Sequence, residues 1–326
     1  MIYKKVKMIE EKISAIGIGC WNFGGDWDSS EDNNSISIVH AAIDLGINLF
    51  DVAPVYGWHH SEHVLGRALA GGKRDKVLIA SKCGLVWNEK HKTRNDLSKA
   101  NILKEIDESL ERLQTDHIDI YQLHWPDPKV PIEETAEALI EIKKAGKIRY
   151  VGLSNFSQED VEAFMSLIDI NEQQVLYNML ERNTTSYHGI PLAYKTEKEV
   201  LPTVRKYGQA LLPYSPLFQG LLAGKFSLNN NFSARDIRNE NPKLSGEQFL
   251  FYYSGYEKLQ GLADKIGKPV NELALNWLRQ KSEVTSIIGG ASSIKQLEKN
   301  VNALSWDIAD DVMERIAVII ERYENI

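Results

Sequence analysis

The stretch Ser14-Ala-Ile-Gly-Ile-Gly-Cys-Trp-Asn22 decides between two folds. An apolar run ending in two glycines is what the first strand of a parallel sheet looks like. A dinucleotide-binding open sheet would continue it as Gly-x-Gly-x-x-Gly. Gly17 and Gly19 supply the first two glycines, but Asn22 stands where the third belongs. The fingerprint fails, and the sequence contains no Gly-Lys-Ser phosphate loop.

Working outward, short β-rich runs alternate with amphipathic helical stretches along the whole chain. Strands are read at 14–19, 47–51, 76–81, 117–123, 147–153, 172–177, 210–214 and 285–288. Helices are read over 35–45 and from about Ser61, Ser98, Ile132, Ser157 and Thr196. Ser157-Gln-Glu-Asp160 and Ser293-Ile-Lys-Gln296 carry the spacing of helix N-terminal caps, and Ala145-Gly146-Lys147 supplies a glycine for a left-handed helix end. Such βα units without a linker or low-complexity break predict an α/β protein: a single (β/α)8 TIM barrel, one domain spanning 1–326. Tyr3 to Ile13 reads as an N-terminal β-hairpin, Ser215 to Phe249 as a long loop after strand seven, and Asp307 to Tyr323 as a terminal helix.

Composition narrows the classes of function. Of 326 residues, 43% are hydrophobic and 25% charged, which excludes a disordered chain. With 45 acidic against 38 basic side chains the net charge is −7, so no general attraction to nucleic acid or to an anionic membrane surface is expected. Cys20 and Cys83 are too few for a disulfide framework or a four-cysteine metal site and suit a reducing compartment. The N-terminus alternates in polarity and no apolar stretch is long enough to span a bilayer, so the expected location is cytoplasmic.

A barrel assembles its active site at the C-terminal ends of its strands. There the sequence offers Asp51 and Tyr56-Gly57 after strand two, Lys82 after strand three, His124 after strand four, and Ser154-Asn155 after strand five. Singly, each has a structural reading: a turn, a cap, a solvated strand end or a satisfied core histidine. Together they form a coherent site. A lysine held charged by a carboxylate favours a phenolate, and a neutral histidine orients a carbonyl and stabilises oxyanion charge. The set protonates an alkoxide while another group delivers hydride. No metal-ligand spacing occurs, since His59 and His60 are adjacent. Trp21, Trp27, Trp58, Trp87 and Trp125 lie near strand ends and predict an aromatic substrate pocket; with Asp26, Asp28, His59 and His60 they suit a sugar-like carbonyl.

These residues fall in motifs that resemble the aldo/keto reductase family. Asp51-x-Ala-x-x-Tyr56-Gly57, Ser81-Lys82, Leu123-His124-Trp-Pro-Asp127, Gly152-Leu-Ser-Asn-Phe156 and Gln174-x-x-Tyr-Asn178 occur in the family's order. Tyr214-Ser-Pro-Leu217, Gly220-Leu-Leu-Ala-Gly-Lys225 and Gly290-Ala-Ser-Ser-x-x-Gln296-x-x-x-Asn300 follow. The chain looks most like the bacterial branch that includes inositol-catabolism and stress-associated reductases.

The resemblance implies an NAD(P)H-dependent oxidoreductase interconverting a carbonyl compound and its alcohol. In it Tyr56 is the general acid, Lys82 lowers its pKa, Asp51 pairs with Lys82, and His124 orients the carbonyl. Ser154, Asn155 and Gln174 would bind the nicotinamide carboxamide and Tyr214 would stack on its ring. Leu217, Gly220 and Lys225 would follow the pyrophosphate, and Gly290, Ser292, Gln296 and Asn300 the adenosine end. Ser293 and Gln296 also satisfy a simple capping box.

Many members grip a 2′-phosphate with lysine and arginine where this chain has Gly290 and Gln296, and Lys299 stands where an acidic residue often contacts adenine. Lys225, Arg235, Arg238, Lys295 and Lys299 keep NADP ahead of NAD as the expected cofactor. The alternative is a redox-sensing regulatory subunit on the same fold. No interface signal fixes an oligomeric state.

Overall fold

The computed structural model describes residues 1–25, 32–228, 232–233 and 236–324. Its central element is an eight-stranded parallel sheet rolled into a barrel. The strands are β1 (Ile16–Gly19), β2 (Leu49–Asp51), β3 (Leu78–Cys83), β4 (Ile118–Leu123), β5 (Ile148–Ser154), β6 (Glu172–Leu176), β7 (Ala210–Tyr214) and β8 (Ile287–Gly289). From β1 to β7 each strand pairs with the next in sequence, and β8 pairs with β1. The last seam joins β7 to the approach of β8: Thr285 N and Ser286 N both donate to Leu211 O, at 2.9 and 3.3 Å, while Leu211 N donates to Thr285 Oγ1 at 3.1 Å. Asn22, whose identity argued against an open sheet, donates from Nδ2 to Ala291 O at 2.7 Å and ties the loops after β1 and β8 together.

Helices surround the sheet because their apolar stripes must be buried against it. Lys99–Leu113, for example, buries Ile102, Ile106 and Leu113 and starts at Ser98, whose side chain accepts from Asn101 N. Ser157 caps its helix in the same way by accepting from Asp160 N, and Gly146 follows the helix Ile132–Lys144 at φ +75°, both as read from sequence.

The N-terminal hairpin, Tyr3–Val6 against Ile9–Ser14, closes the barrel at the end opposite the strand C-termini. Ile9 and Ile13 are buried with the interior side chains Leu49, Leu78, Ala80, Ile120, Ala210, Leu212 and Ile288. Lys4 Nζ donates to Arg279 O and Val284 O at 2.7 and 2.5 Å, which fixes the plug to the chain before β8. One end is thereby sealed, and the other remains open to bind.

The loops differ from the sequence reading. The loop expected to reach Phe249 ends at Ser245, where the helix Gly246–Lys265 begins. A left-handed glycine at its first position, Gly246 at φ +56°, disguises that start as a turn. Before it the loop winds through short 3-10 turns at Phe218–Ala223, Ile237–Glu240 and Pro242–Leu244; Asn229 to Asn231 and Arg235 lie outside the described residues. Small hairpins after β3 (Leu85–Trp87 with Thr93–Asn95) and after β6 (Ser186–Tyr187 with Ile190–Pro191) were not foreseen.

Inside the barrel, Glu172 is fully buried and its Oε2 accepts from Gln122 Nε2 at 2.9 Å. Its carboxyl occupies the space a Cβ would need at Gly152, 2.1 Å from Oε2, which explains that glycine in β5. Burial, reinforced by Asp51, pushes its pKa up to about 8. The folded state thus holds a proton that the unfolded chain releases above about pH 4.5, so this group makes stability fall as pH rises from there to about 8. Glu172→Gln should shrink the drop in thermal midpoint between pH 5 and 8. A drop as large as that of the unaltered protein would show Glu172 to be ionised when folded.

Candidate active site

Four strand ends converge at the open mouth. Lys82, at the end of β3, is inaccessible to solvent; its Nζ donates to Asp51 Oδ1 at 2.6 Å and to Val52 O at 3.1 Å. Gln174 on β6 donates from Nε2 to the same Asp51 oxygen at 2.7 Å. The ammonium lies 5.0 Å from the centroid of the Tyr56 ring, and His124 meets that ring edge-on at 5.9 Å. Asp51, Tyr56, Lys82 and His124 are thus one cluster, as their sequence positions predict.

Tyr56 is placed by a close backbone contact. A Cβ at Gly57 would come within 2.2 Å of Gly24 O, and one at Gly24 within 2.4 Å of Gly57 N, so both positions need glycine. Gly57, Trp58 and His59 follow in left-handed conformation at φ +59°, +53° and +81°, turning the chain sharply into the helix His60–Leu69. The Tyr56-Gly57 pair is therefore both a turn and the presentation of a phenol.

The electrostatics follow from burial. Burial and Lys82 hold His124 well below the usual histidine range, so its ring is neutral. Burial and the Asp51 carboxylate push the Tyr56 hydroxyl well above the usual phenol range. The Lys82 ammonium beside the ring does not reverse that rise. The physical reason is that the ammonium is bonded to Asp51, so desolvation outweighs its pull in the free protein.

The mouth opens into a cavity of about 910 Å³. Tyr56 and His124 line it, as do Trp21, Trp58 and Trp125. Trp21 stacks on Tyr56 at 5.8 Å. Trp87 stands behind this wall, packed edge-on against Trp58 at 5.2 Å, while Trp27, Asp26 and Asp28 lie outside the described residues. His60 faces away and pairs with Asp32 at 2.7 Å, and His59 packs on Trp87. Unforeseen wall residues come from the two hairpins: Leu85, His91 and Thr93 from one, Tyr187, His188 and Ile190 from the other. His91 stacks flat on Trp58 at 4.1 Å. The two-residue connection His188-Gly189 between paired segments was the available signal for the second hairpin.

Ser154, Asn155, Gln174, Tyr214, Leu217, Gly220, Lys225, Gly290, Ser292, Gln296 and Asn300 all line the same cavity. Asn155 is held firmly: Nδ2 donates to Ser154 Oγ and His124 O, and Oδ1 accepts from Tyr214 OH at 2.8 Å and Tyr194 OH at 3.1 Å. Tyr194 is a supporting residue that sequence reasoning missed. At the far end the helix Ile294–Ala303 opens toward Ser292. Gln296 Oε1 accepts from Ser292 N and Oγ, while Ser293 Oγ accepts from Gln296 N, so the capping role of this pair is real. A Cβ at Gly290 would meet nothing within 4 Å. Amide donors and acceptors at one end, an aromatic ring beside them, and a helix N-terminus with lysine and arginine further out are a set that suits a nicotinamide dinucleotide.

The sequence profile of the Aldo/keto reductase family matches residues 15–321. The chain belongs to the aldo/keto reductase family. The aldo-keto reductase YhdN of Bacillus subtilis (strain 168) is 37% identical over 324 residues, covering 98% of this chain and 94% of the relative. An NADH-specific methylglyoxal reductase of Escherichia coli (strain K12) is 32% identical, covering 95% and 96%. Among solved structures, the glycerol dehydrogenase AKR11B4 from Gluconobacter oxydans superposes with a TM-score of 0.86 at 34% identity, covering 98% of this chain and 95% of that one. As an aldo/keto reductase the chain is an oxidoreductase that uses a nicotinamide cofactor and acts on small carbonyl compounds. Among the described residues no helix is long and apolar enough to cross a membrane.

Removing one member of the Lys82–Asp51 pair leaves an unpaired buried charge. Lys82→Met should cost about 3–5 kcal/mol of unfolding free energy. In Lys82→Met/Asp51→Asn, urea denaturation should recover part of that loss; strictly additive losses would mean that the two groups do not interact.

Proposed function

We propose that this reductase interconverts a hydroxylated aldehyde or ketone and its alcohol, with Tyr56 as the general acid in reduction and NADP(H) as the cofactor. The observation that carries the reading is the convergence of the Tyr56 hydroxyl, the neutral His124 ring and the Lys82–Asp51 pair at the cavity mouth. A reduced nicotinamide, when bound, supplies hydride to the carbonyl carbon. Tyr56 donates its proton to the carbonyl oxygen as negative charge develops there. Its raised pKa keeps it fully protonated before the substrate arrives. His124, neutral, holds the same oxygen through a ring N–H. Lys82 stands 5.0 Å from the phenol ring, so phenolate forms beside a cation whose own charge Asp51 anchors. Ser154, Asn155 and Gln174 orient the carboxamide, and Trp21 and Trp125 keep water from the reacting face.

A hydroxylated substrate is supported by walls that mix flat rings with polar groups: Trp21, Trp58 and Trp125 beside His91, Thr93 and His188. The names of two relatives, a glycerol dehydrogenase and a methylglyoxal reductase, also point to small oxygenated compounds.

For the cofactor, Lys225 and Arg238 line the cavity, whereas Lys295 and Lys299 lie on the exposed side of their helix. NAD(H) is the second reading, favoured because the Arg238 guanidinium is bonded to Asp236 at 2.9 and 2.5 Å and because one relative is named NADH-specific.

Tyr56→Phe should lower kcat for aldehyde reduction by about 10²–10⁴-fold while nicotinamide binding, followed by fluorescence, persists. A variant that keeps most of the activity would remove Tyr56 from the acid role. Arg238→Ala should raise the KM for NADPH and leave that for NADH nearly unchanged. Equal KM values for the two cofactors in the unaltered enzyme would overturn the NADP preference.

A further inference from the structure

We propose that His188 is a specificity-determining residue whose Nδ1–H donates a hydrogen bond to an oxygen of the substrate distant from its reacting carbonyl, and that Gln219 sets the tautomer that makes this possible. The inference rests on the carbonyl-reductase reading above and adds to it a second polar anchor for the substrate.

His188 stands at the tip of the hairpin after β6. It and Gly189 both have positive φ, +49° and +75°, as a two-residue type I′ turn requires. The ring lines the cavity, 6.4 Å from Trp21, which itself stacks on Tyr56. His188 therefore neighbours the indole that stacks on the proton donor and is placed to meet the part of a substrate lying along Trp21.

A directional relay fixes the imidazole. The backbone N–H of Lys243 donates to Asn241 Oδ1 at 3.1 Å, which settles which way that amide faces. Asn241 Nδ2 then donates to Gln219 Oε1 at 2.8 Å, which settles the Gln219 amide in turn. Gln219 Nε2 is left as the donor in its 2.5 Å contact with His188 Nε2. The imidazole nitrogen that accepts this bond carries no proton, so the proton of the neutral ring is on Nδ1. Burial, with Lys243 adding to it, lowers the His188 pKa to about 4, which keeps the ring neutral near pH 7.

Gln219 reaches this position in a left-handed conformation at φ +51°, between Phe218 at +47° and Gly220 at +103°. A run of three such residues bends the segment across the mouth. The relay base is firm: Lys243 is buried, with Nζ bonded to Glu181 Oε1, Thr184 Oγ1 and Ser186 O, each at 2.7 Å. Those bonds pin the turn carrying Asn241 and Lys243, and through Asn241 the Gln219 amide, to the hairpin carrying His188. Among the described residues, Nδ1 of His188 has no partner, so its donor is left for a ligand. The chemical class that fits is a carbonyl compound with a hydroxyl or other oxygen acceptor several atoms beyond the carbonyl carbon.

The test uses the full-length enzyme and two substrates of nearly equal shape, 4-(hydroxymethyl)benzaldehyde and 4-ethylbenzaldehyde. Imidazole ¹⁵N shifts should show His188 as the Nδ1–H tautomer. In Gln219→Glu, whose carboxylate only accepts, they should move to the Nε2–H tautomer or to imidazolium. In His188→Phe the preference in kcat/KM for the hydroxylated aldehyde should fall about ten-fold, with the change carried by KM, as loss of one hydrogen bond predicts. His188→Asn, which retains a donor, should restore part of it. An Nε2–H tautomer in the unaltered enzyme, or a preference unaffected by His188→Phe, would overturn the proposal. If neither aldehyde were reduced at all, the carbonyl-reductase reading would fall, and the nitrogen shifts would still decide the tautomer.

Discussion

Closure of eight parallel strands is the constraint on which the rest of this structure depends. Parallel strands joined by outer helices all end on the same side, and rolling the sheet shut gathers those ends into one ring. Gln174 and Asp51, 123 residues apart in sequence, consequently share a hydrogen bond. The closure itself is maintained by modest interactions: Leu211 with Thr285 and Ser286 at the last seam, and Asn22 with Ala291 at the rim. With the hairpin residues Ile9 and Ile13 sealing the other end, the ring of strand ends is the open end of the barrel.

The ring is also a place of low dielectric, and that explains the charge state of each group in it. One ion pair, Lys82 with Asp51, is admitted because its members are 2.6 Å apart and further hydrogen-bonded. The groups around it are driven to their neutral forms: His124 is lowered, the Tyr56 hydroxyl is raised, and Glu172 beneath them keeps its proton to about pH 8. The same physics provides a protonated phenol and a neutral imidazole beside a single fixed cation, the set a carbonyl reduction needs.

The loops that dress the ring are built from unusual backbone. Left-handed residues follow several strand ends: Gly57 to His59 after β2, Asn155 after β5, and Ser215 with Phe218 to Gly220 after β7. Such conformations persist where surrounding contacts over-determine them. Here those contacts are visible, in the Gly24–Gly57 backbone approach, the hydrogen bonds holding the Asn155 side chain, and the bonds from Asn241 to Gln219 and from Gln219 to His188. Tight turns bring side chains up to a ligand that extended loops would leave trailing in water.

By itself the sequence determined the fold and the clustering of Asp51, Tyr56, Lys82 and His124 at the strand ends. Strand and helix periodicity are local, and polar residues just past apolar runs mark strand ends whatever the tertiary detail. The hairpin, the caps at Ser157 and Ser293, and Asp51, Tyr56, Lys82 and His124 were therefore legible. Tertiary structure alone decided the rest. The hairpins contributing His91 and His188 are too short to leave a periodic signal, and the helix at Gly246 begins with a residue that reads as a turn. The direction of the Tyr56 shift and the tautomer of His188 depend on which groups lie near in space and how deeply they are buried, quantities set by the closed barrel and by no stretch of the chain alone.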